Sequence, residues 1–184
     1  MGFVSILSQK SDKIVIFPRN KPFGTLFVID KSEYNYLKER RITMNFNNFT
    51  IKAQEAVQEA VNLTQAHNGQ VIEPIHLLQA VMKVGENVTK FIFQKLGVNG
   101  QQIVNVVARQ IESLPKVSGG NPYLSRESND VLQKAVQYSK EMGDEFVSIE
   151  PIILALLVVK STASSILKDA GVSEKELREA INEL

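Results

Sequence analysis

Pro151-Ile152-Ile153-Leu154-Ala155-Leu156-Leu157-Val158-Val159 is apolar at every position, and whether it is a strand or a helix decides the fold. A continuous apolar run of this length fits a buried strand or a buried helix equally, because it has no polar face to set a period. A related stretch earlier in the chain separates the two. Glu73-Pro74-Ile75 recurs as Glu150-Pro151-Ile152, and Leu77 recurs as Leu154. In the first copy His76, Gln79 and Lys83 stand three and four residues apart, the polar stripe of a helix. The second copy is therefore expected to be helical, with Ile153 and Leu156 replacing His76 and Gln79. A polar stripe becomes an apolar one, and an outward-facing strip there would be an exposed hydrophobic surface beside Glu150.

The repetition extends outward from this pair. Thr50, Val57, Ala60, Val61 and Thr64 recur at one constant offset as Ser125, Leu132, Ala135, Val136 and Ser139. Leu96-Gly97-Val98 recurs as Ala170-Gly171-Val172, and Ile103 and Val107 recur as Leu177 and Ile181. In the first copy Ala53, Ala56, Val57, Ala60, Val61 and Thr64 mark one face of a helix of about four turns. Thr50 is a natural N-cap for it and Asn68-Gly69 a natural stop. Pro74 opens a second helix. Asn87 is expected to cap a third, ending at Gly97, and a fourth runs from Asn99-Gly100 to about Ser113. Ser173 with Glu176 forms a capping box for the last helix. Solenoids have periods of roughly 20–50 residues and at least three copies. Two copies of a longer period point instead to two four-helix units packed about a pseudo-twofold axis. The expected fold is all-α, a duplicated four-helix repeat of about eight helices over residues 44–184. The repeats span about 49–113 and 124–184, joined by a turn-rich loop around Ser118-Gly119-Gly120.

Residues 1–43 differ in character. They carry eight basic and four acidic groups, +4, against −3 for the remainder, within a formal total of +1 for 184 residues. Strands are expected at Ile14–Phe17 and Thr25–Ile29, and a short helix after Ser32, forming a weakly packed arm. The apolar Phe3–Leu7 lacks a basic region before it and a small-residue cleavage site after it, which argues against a leader peptide. This segment reads as an upstream extension, a misassigned start or a cloning feature.

Composition excludes several chemistries. The chain has no Cys, so a disulfide framework, thiolate zinc and an Fe–S cluster are absent. There is no phosphate-loop G-x-x-x-x-G-K-[ST], no G-x-S-x-G, no H-E-x-x-H and no dinucleotide loop. His67 and His76 fall on different helices, an unpromising metal pair. Lys38, Arg40 and Arg41 read as solvated surface more readily than as a phosphate contact. The longest apolar run is far short of the roughly 20 residues a spanning helix needs. The expectations are a non-catalytic, cytoplasmic protein with no metal, no nucleic-acid partner and no membrane.

Phe49-Thr50-x-Lys52-x-Gln54-x-Ala56 followed by Ile72-Glu73-Pro74-Ile75-His76-Leu77-Leu78 resembles the Clp N-terminal domain, a duplicated four-helix module. Leu114-Pro115-Lys116-Val117-Ser118-Gly119 and Gly143-Asp144-Glu145-Phe146-Val147-Ser148-x-Glu150 look like its ClpB branch, the ATP-dependent disaggregase chaperones. The resemblance covers about three quarters of the chain, from Met44 onward, and nothing before it. It implies an amino-terminal domain that captures unfolded or aggregated polypeptide in an apolar groove with polar contacts beside it. It implies Thr50, Asp144 and Glu150 as the polar contacts, and Tyr138 and Pro151 as groove-lining residues flanking Ile153 and Leu156. ATP and Mg²⁺ would belong to ATPase modules of a hexameric parent. The same three polar residues have a purely structural reading, since Thr50 and Glu150 precede helices and Asp144 follows Gly143 in a turn. The alternative function is a stand-alone or adaptor-docking Clp-repeat module of a Clp protease system.

Overall fold

The computed structural model describes residues 4–7, 13–17, 27–30, 46–117 and 122–184. The chain divides into two compact units, Met1–Asn45 and Phe46–Leu184. The first holds β1 (Val4–Leu7), β2 (Lys13–Phe17) and β3 (Phe27–Asp30) in an antiparallel sheet of that order. Val4 pairs with Phe17 and Leu7 with Ile14, while Lys13 pairs with Asp30 and Ile16 with Phe27. β2 and β3 fall close to the expected strands. β1 is a third strand beyond the two expected, and it falls in the apolar Phe3–Leu7 run. The helix expected after Ser32 lies outside the described residues.

The second unit holds eight helices among the described residues: α1 (Ile51–Ala66), α2 (Pro74–Val84), α3 (Glu86–Lys95), α4 (Gly100–Glu112), α5 (Arg126–Met142), α6 (Ile149–Val158), α7 (Thr162–Asp169) and α8 (Glu174–Ile181). The all-α duplicated fold is as expected, and the apolar run that opens the question is α6. Caps set the boundaries. Side-chain oxygens of Thr50, Asn99, Ser125, Ser161 and Ser173 accept the N–H three residues on, at 3.0–3.4 Å. Asn68 and Gly143 end α1 and α5 with left-handed backbone at φ 55° and 83°. Asn87 is not a cap: α3 starts one residue earlier, and Gly85 serves both as the end of α2 and the start of α3.

Two reciprocal backbone pairings relate the repeats. The lead-in to α1 pairs in parallel with the lead-in to α6 through Phe49 and Val147. The lead-in to α2, β4 (Val71–Ile72), pairs in parallel with the lead-in to α5, β5 (Tyr123–Leu124). Thr50 N–H donates to the Val147 carbonyl at 2.9 Å, and Ser125 N–H to that of Ile72 at 3.0 Å. The two bonds are equivalent position for position: Thr50 is offset from Ser125 by the same step as Ile72 from Val147. Each repeat therefore starts its first helix against the other repeat's second, which is the pseudo-twofold relation.

This spacing corrects one alignment. The caps Glu73 and Ser148 keep that same offset, so His76 corresponds to Pro151 and Gln79 to Leu154. The match of Glu73-Pro74-Ile75 to Glu150-Pro151-Ile152 is out of register by two: Glu73 caps its helix, whereas Glu150 lies inside the first turn of α6. The expected apolar strip falls with it. Ile153 is 1% exposed and Leu156 fully buried. α6 contacts α1, α2, α5, α7 and α8, so it is apolar all round because it is surrounded. Ile153 and Leu156 are core residues, each worth about 1.5–3 kcal/mol of burial. With α2, α6 forms the centre of the domain.

His76 is 3% exposed, and its Nδ1 accepts the Glu73 N–H at 3.0 Å, closing the first turn of α2. Burial first, and then the positive charge on nearby His67, lowers its pKa from 6.5 to about 4. The unfolded chain therefore takes up a proton that the folded chain refuses. The associated stability is whole above pH 6.5 and is lost as pH falls towards 4, by up to about 3 kcal/mol. Glu73, with its pKa raised mainly by burial, contributes with the opposite sign as pH rises past its ordinary value. His76→Gln keeps an acceptor at this position but does not titrate. Urea unfolding midpoints between pH 4 and 7 should fall less steeply for this variant than for the parent chain.

Candidate functional site

The Phe49–Val147 bridge sets the N-termini of α1 and α6 side by side. Both residues are almost fully buried, Phe49 at 2% and Val147 at 1% exposed. The Val147 N–H donates to the Asn48 carbonyl at 2.7 Å and completes the pairing. In front of it, between these two helix starts and the α2–α3 junction, lies a cleft of about 650 Å³. Its walls are Thr50–Lys52, Lys83–Val88 and Ser148–Glu150.

Ile51 stands at the mouth, 76% exposed, the most exposed large apolar residue of the described part. The walls add Val84, Val88 and Ile149. The polar groups differ in how they are satisfied. The Thr50 hydroxyl caps α1 by accepting the Ala53 N–H. Lys52 pairs with Glu55 at 3.3 Å and Lys83 with Glu59 at 2.7 Å, the latter holding the Glu59 carboxyl below its ordinary range. Both cations of the cleft are thus engaged. Glu86 and Glu150 make no ion pair among the described residues, and Oε2 of Glu150 is buried without a hydrogen-bond partner. The Ser148 side chain does not cap α6, and Gly85 has no side chain with which to cap α3. Two helix starts therefore face the cleft without side-chain caps, beside an unpaired carboxylate and an exposed aliphatic group.

The expected site residues divide. Thr50 and Glu150 meet in this cleft. Asp144 does not line it. It is exposed in the turn after Gly143, where its N–H donates to the Ser139 carbonyl at 2.9 Å. Tyr138 is 3% exposed, its ring between Lys134 Nζ at 4.8 Å and the Arg178 guanidinium at 4.7 Å. It ties α5 to α8, and burial raises its hydroxyl pKa. Pro151 is buried in the first turn of α6. Tyr138, Pro151, Ile153 and Leu156 are all absent from the cleft wall. The residues missed were Ile51 and Gly85. Ile51 carried a signal, an aliphatic residue off the Ala53/Ala56/Ala60 face. Gly85 carried none, because its role is a close approach: a Cβ there would stand 2.8 Å from Ile149 Cγ2 and 2.9 Å from the Val81 carbonyl oxygen. No group of three His, Asp or Glu side chains suited to a metal occurs among the described residues.

Similarity to known proteins bears on the family and the fold. The family model of the Clp repeat (R) N-terminal domain matches residues 48–170. The chain is 79% identical over 141 residues to the chaperone protein ClpB of Bacteroides thetaiotaomicron, and 54% identical over 141 to that of Porphyromonas gingivalis. Each match covers 77% of this chain but 16% of the relative's length. Among solved structures, the Hsp104 N-terminal domain from Candida albicans matches with a TM-score of 0.65 at 21% identity, covering 73% of this chain and 89% of that one. A ClpV N-domain in complex with a VipB peptide matches with a TM-score of 0.60 at 17% identity, covering 74% and 86%. At these identities the structures speak for the fold.

Gly85→Ala should lower stability by about 1–3 kcal/mol, read from urea unfolding, because the added methyl overlaps Ile149 and a carbonyl oxygen. On an Ile149→Ala background, which removes the two Cγ atoms the methyl would meet, the same substitution should cost less but still something, since the contact with the Val81 carbonyl remains.

Proposed function

The chain belongs to the Clp repeat N-terminal domain family, and from that premise we propose that it is the substrate-binding amino-terminal domain of a ClpB-type ATP-dependent disaggregase, taking unfolded or aggregated polypeptide into the Ile51–Glu150 cleft. The chain itself is a non-catalytic module. ATP and Mg²⁺ would act in ATPase modules of a hexameric parent, where several weak sites in one particle raise avidity.

One observation carries the reading. A carboxylate with a buried, unpartnered oxygen lies beside an exposed aliphatic residue and two uncapped helix starts. An extended polypeptide can supply what each lacks: N–H or cationic donors for Glu150, carbonyl oxygens for the helix N–H groups, and an apolar side chain against Ile51. Few of these contacts depend on the guest's sequence, which suits capture of many unfolded chains. Asp144 is proposed as an outlying contact, in the same turn as the exposed Phe146 and a short step before Glu150. The second reading, docking of a specific adaptor, draws on the peptide-bound ClpV N-domain, and would give tight binding to one folded partner.

Binding of the full chain to a permanently unfolded, fluorescently labelled model protein tests the proposal. Glu150→Gln should weaken binding roughly 3- to 10-fold, the difference between a charge-assisted and a neutral hydrogen bond. Asp144→Ala should weaken it less, because a fully exposed charge contributes little. Unchanged binding in both variants, with native helix content, would refute the assignment of this cleft.

A further inference from the structure

A second cleft, of about 510 Å³, lies between the outer face of α3 and the start of α4. It shares Lys83 and Glu86 with the first, so the two adjoin across the first turn of α3. Its character differs. Val98 and Val104, both half-buried, form apolar wall with the buried Met82 and Phe93 behind them. Around it stand the amides of Gln94, of Asn99, whose Oδ1 caps α4, and of Gln101, whose Nε2 donates to Asn105 Oδ1 at 3.3 Å. The start of α4 can sit this close because residue 100 is glycine: a Cβ there would lie 3.0 Å from the Phe93 ring. Lys90, also on the wall, makes no ion pair among the described residues.

Resting on the reading of the first cleft given above, we infer that the α3–α4 cleft is the second half of one groove, and that a single extended polypeptide segment occupies both. Charge and donor chemistry distinguish the halves. The first offers an unpaired carboxylate with both of its lysines already engaged, and so takes a basic or N–H-rich part of the guest. The second offers the Gln94 amide, the Asn99 amide N–H groups and the Gln101 amide oxygen, which donate and accept as peptide groups do, around an apolar wall, and Lys90 at its side. It takes a neutral or acidic apolar stretch, read through the main chain. From Glu86 to Phe93 the groove follows α3 for roughly 10 Å, about three residues of extended chain. Both clefts together accommodate about six to eight residues of extended chain. The guest's direction follows: its basic part lies against Glu150 and its neutral apolar part against Val104.

The experiment compares two fluorescein-labelled peptides, Arg-Leu-Ile-Ala and Arg-Leu-Ile-Ala-Phe-Val-Ala-Leu, binding to the full chain by anisotropy. The longer peptide should bind at least about 10-fold tighter, the effect of one buried apolar side chain. Val104→Glu should remove that gain, bringing the octapeptide to the tetrapeptide's affinity while the tetrapeptide is unaffected. Gln94→Glu, at an exposed position that leaves folding intact, should remove part of the gain. Glu150→Gln should weaken both peptides. If the length gain survives both Val104→Glu and Gln94→Glu, the second subsite is overturned while the first cleft stands. If Glu150→Gln leaves both peptides unchanged, the first-cleft reading fails and this inference fails with it. Sedimentation without peptide supplies the remaining outcome: self-association of the parent chain that Val104→Glu abolishes would make a second copy the occupant, and would also overturn the inference.

Discussion

The domain depends on two short parallel backbone pairings that exchange between its halves. Phe49 against Val147 and Leu124 against Ile72 are equivalent contacts under the repeat, and each fixes the start of one repeat's first helix beside the start of the other's second. Neither repeat can satisfy these lead-in groups alone, since the partner strand lies in the other half. The central helices α2 and α6 come together as a consequence, and the near-complete burial of both follows. Ser128 strengthens one side of the exchange, its hydroxyl donating to the Ile72 carbonyl at 2.6 Å. Its counterpart in the first repeat is Ala53, which has no hydroxyl to offer the other pairing. The duplication is thus inexact at the two pairings: β4–β5 has this hydroxyl, and Phe49–Val147, beside which the cleft lies, does not.

The same comparison explains why a cleft forms there. Its pseudo-symmetric counterpart would lie between the starts of α5 and α2 and the α6–α7 junction. At that junction Ser161 and Ser164 close a reciprocal capping box, with Ser164 N–H donating to Ser161 Oγ at 3.2 Å and Ser161 N–H to Ser164 Oγ at 3.0 Å. The start of α2 is closed by His76 in the same way. In the first cleft, Gly85 takes the N-cap place that Ser161 holds in the second repeat, and Pro151 stands in place of His76. Neither can close its turn. Duplication supplied two equivalent places. Local capping residues filled one and left the other with donors facing solvent.

Much of this was legible in the sequence. The repeat, the helix count, the caps at Thr50 and Ser173, and the helical state of Pro151–Val159 all follow from residue spacing and local hydrogen-bond chemistry. The site was less legible for two physical reasons. A dipeptide match, Glu-Pro, suggested a register that backbone pairing does not use. That shift assigned His76 to Ile153 instead of Pro151 and suggested an apolar surface strip where the chain has core. Burial of α6 depends on five neighbouring helices, and no period within its own sequence reports them. Thr50 and Glu150 came from the family resemblance; their places at helix starts, visible in sequence, supported only the structural reading. Gly85 was missed, because an approach of 2.8 Å between distant segments leaves no local trace.

Glu150 shows how scaffold and site trade against each other. A carboxylate in the first turn of a helix gains about 0.3–1 kcal/mol from the helix dipole. A buried oxygen without a partner costs about 1–3 kcal/mol. On those magnitudes the side chain is at best neutral for folding, and a satisfied or apolar residue would serve α6 as well or better. The neighbouring lysines do not relieve it, because Glu55 and Glu59 already hold them. Structural need therefore does not account for Glu150, whereas it does account for Tyr138, whose ring packs against two cations. A group that folding leaves unsatisfied, in the wall of an open cleft beside an exposed Ile51, retains its hydrogen-bonding capacity for a molecule that arrives from solution.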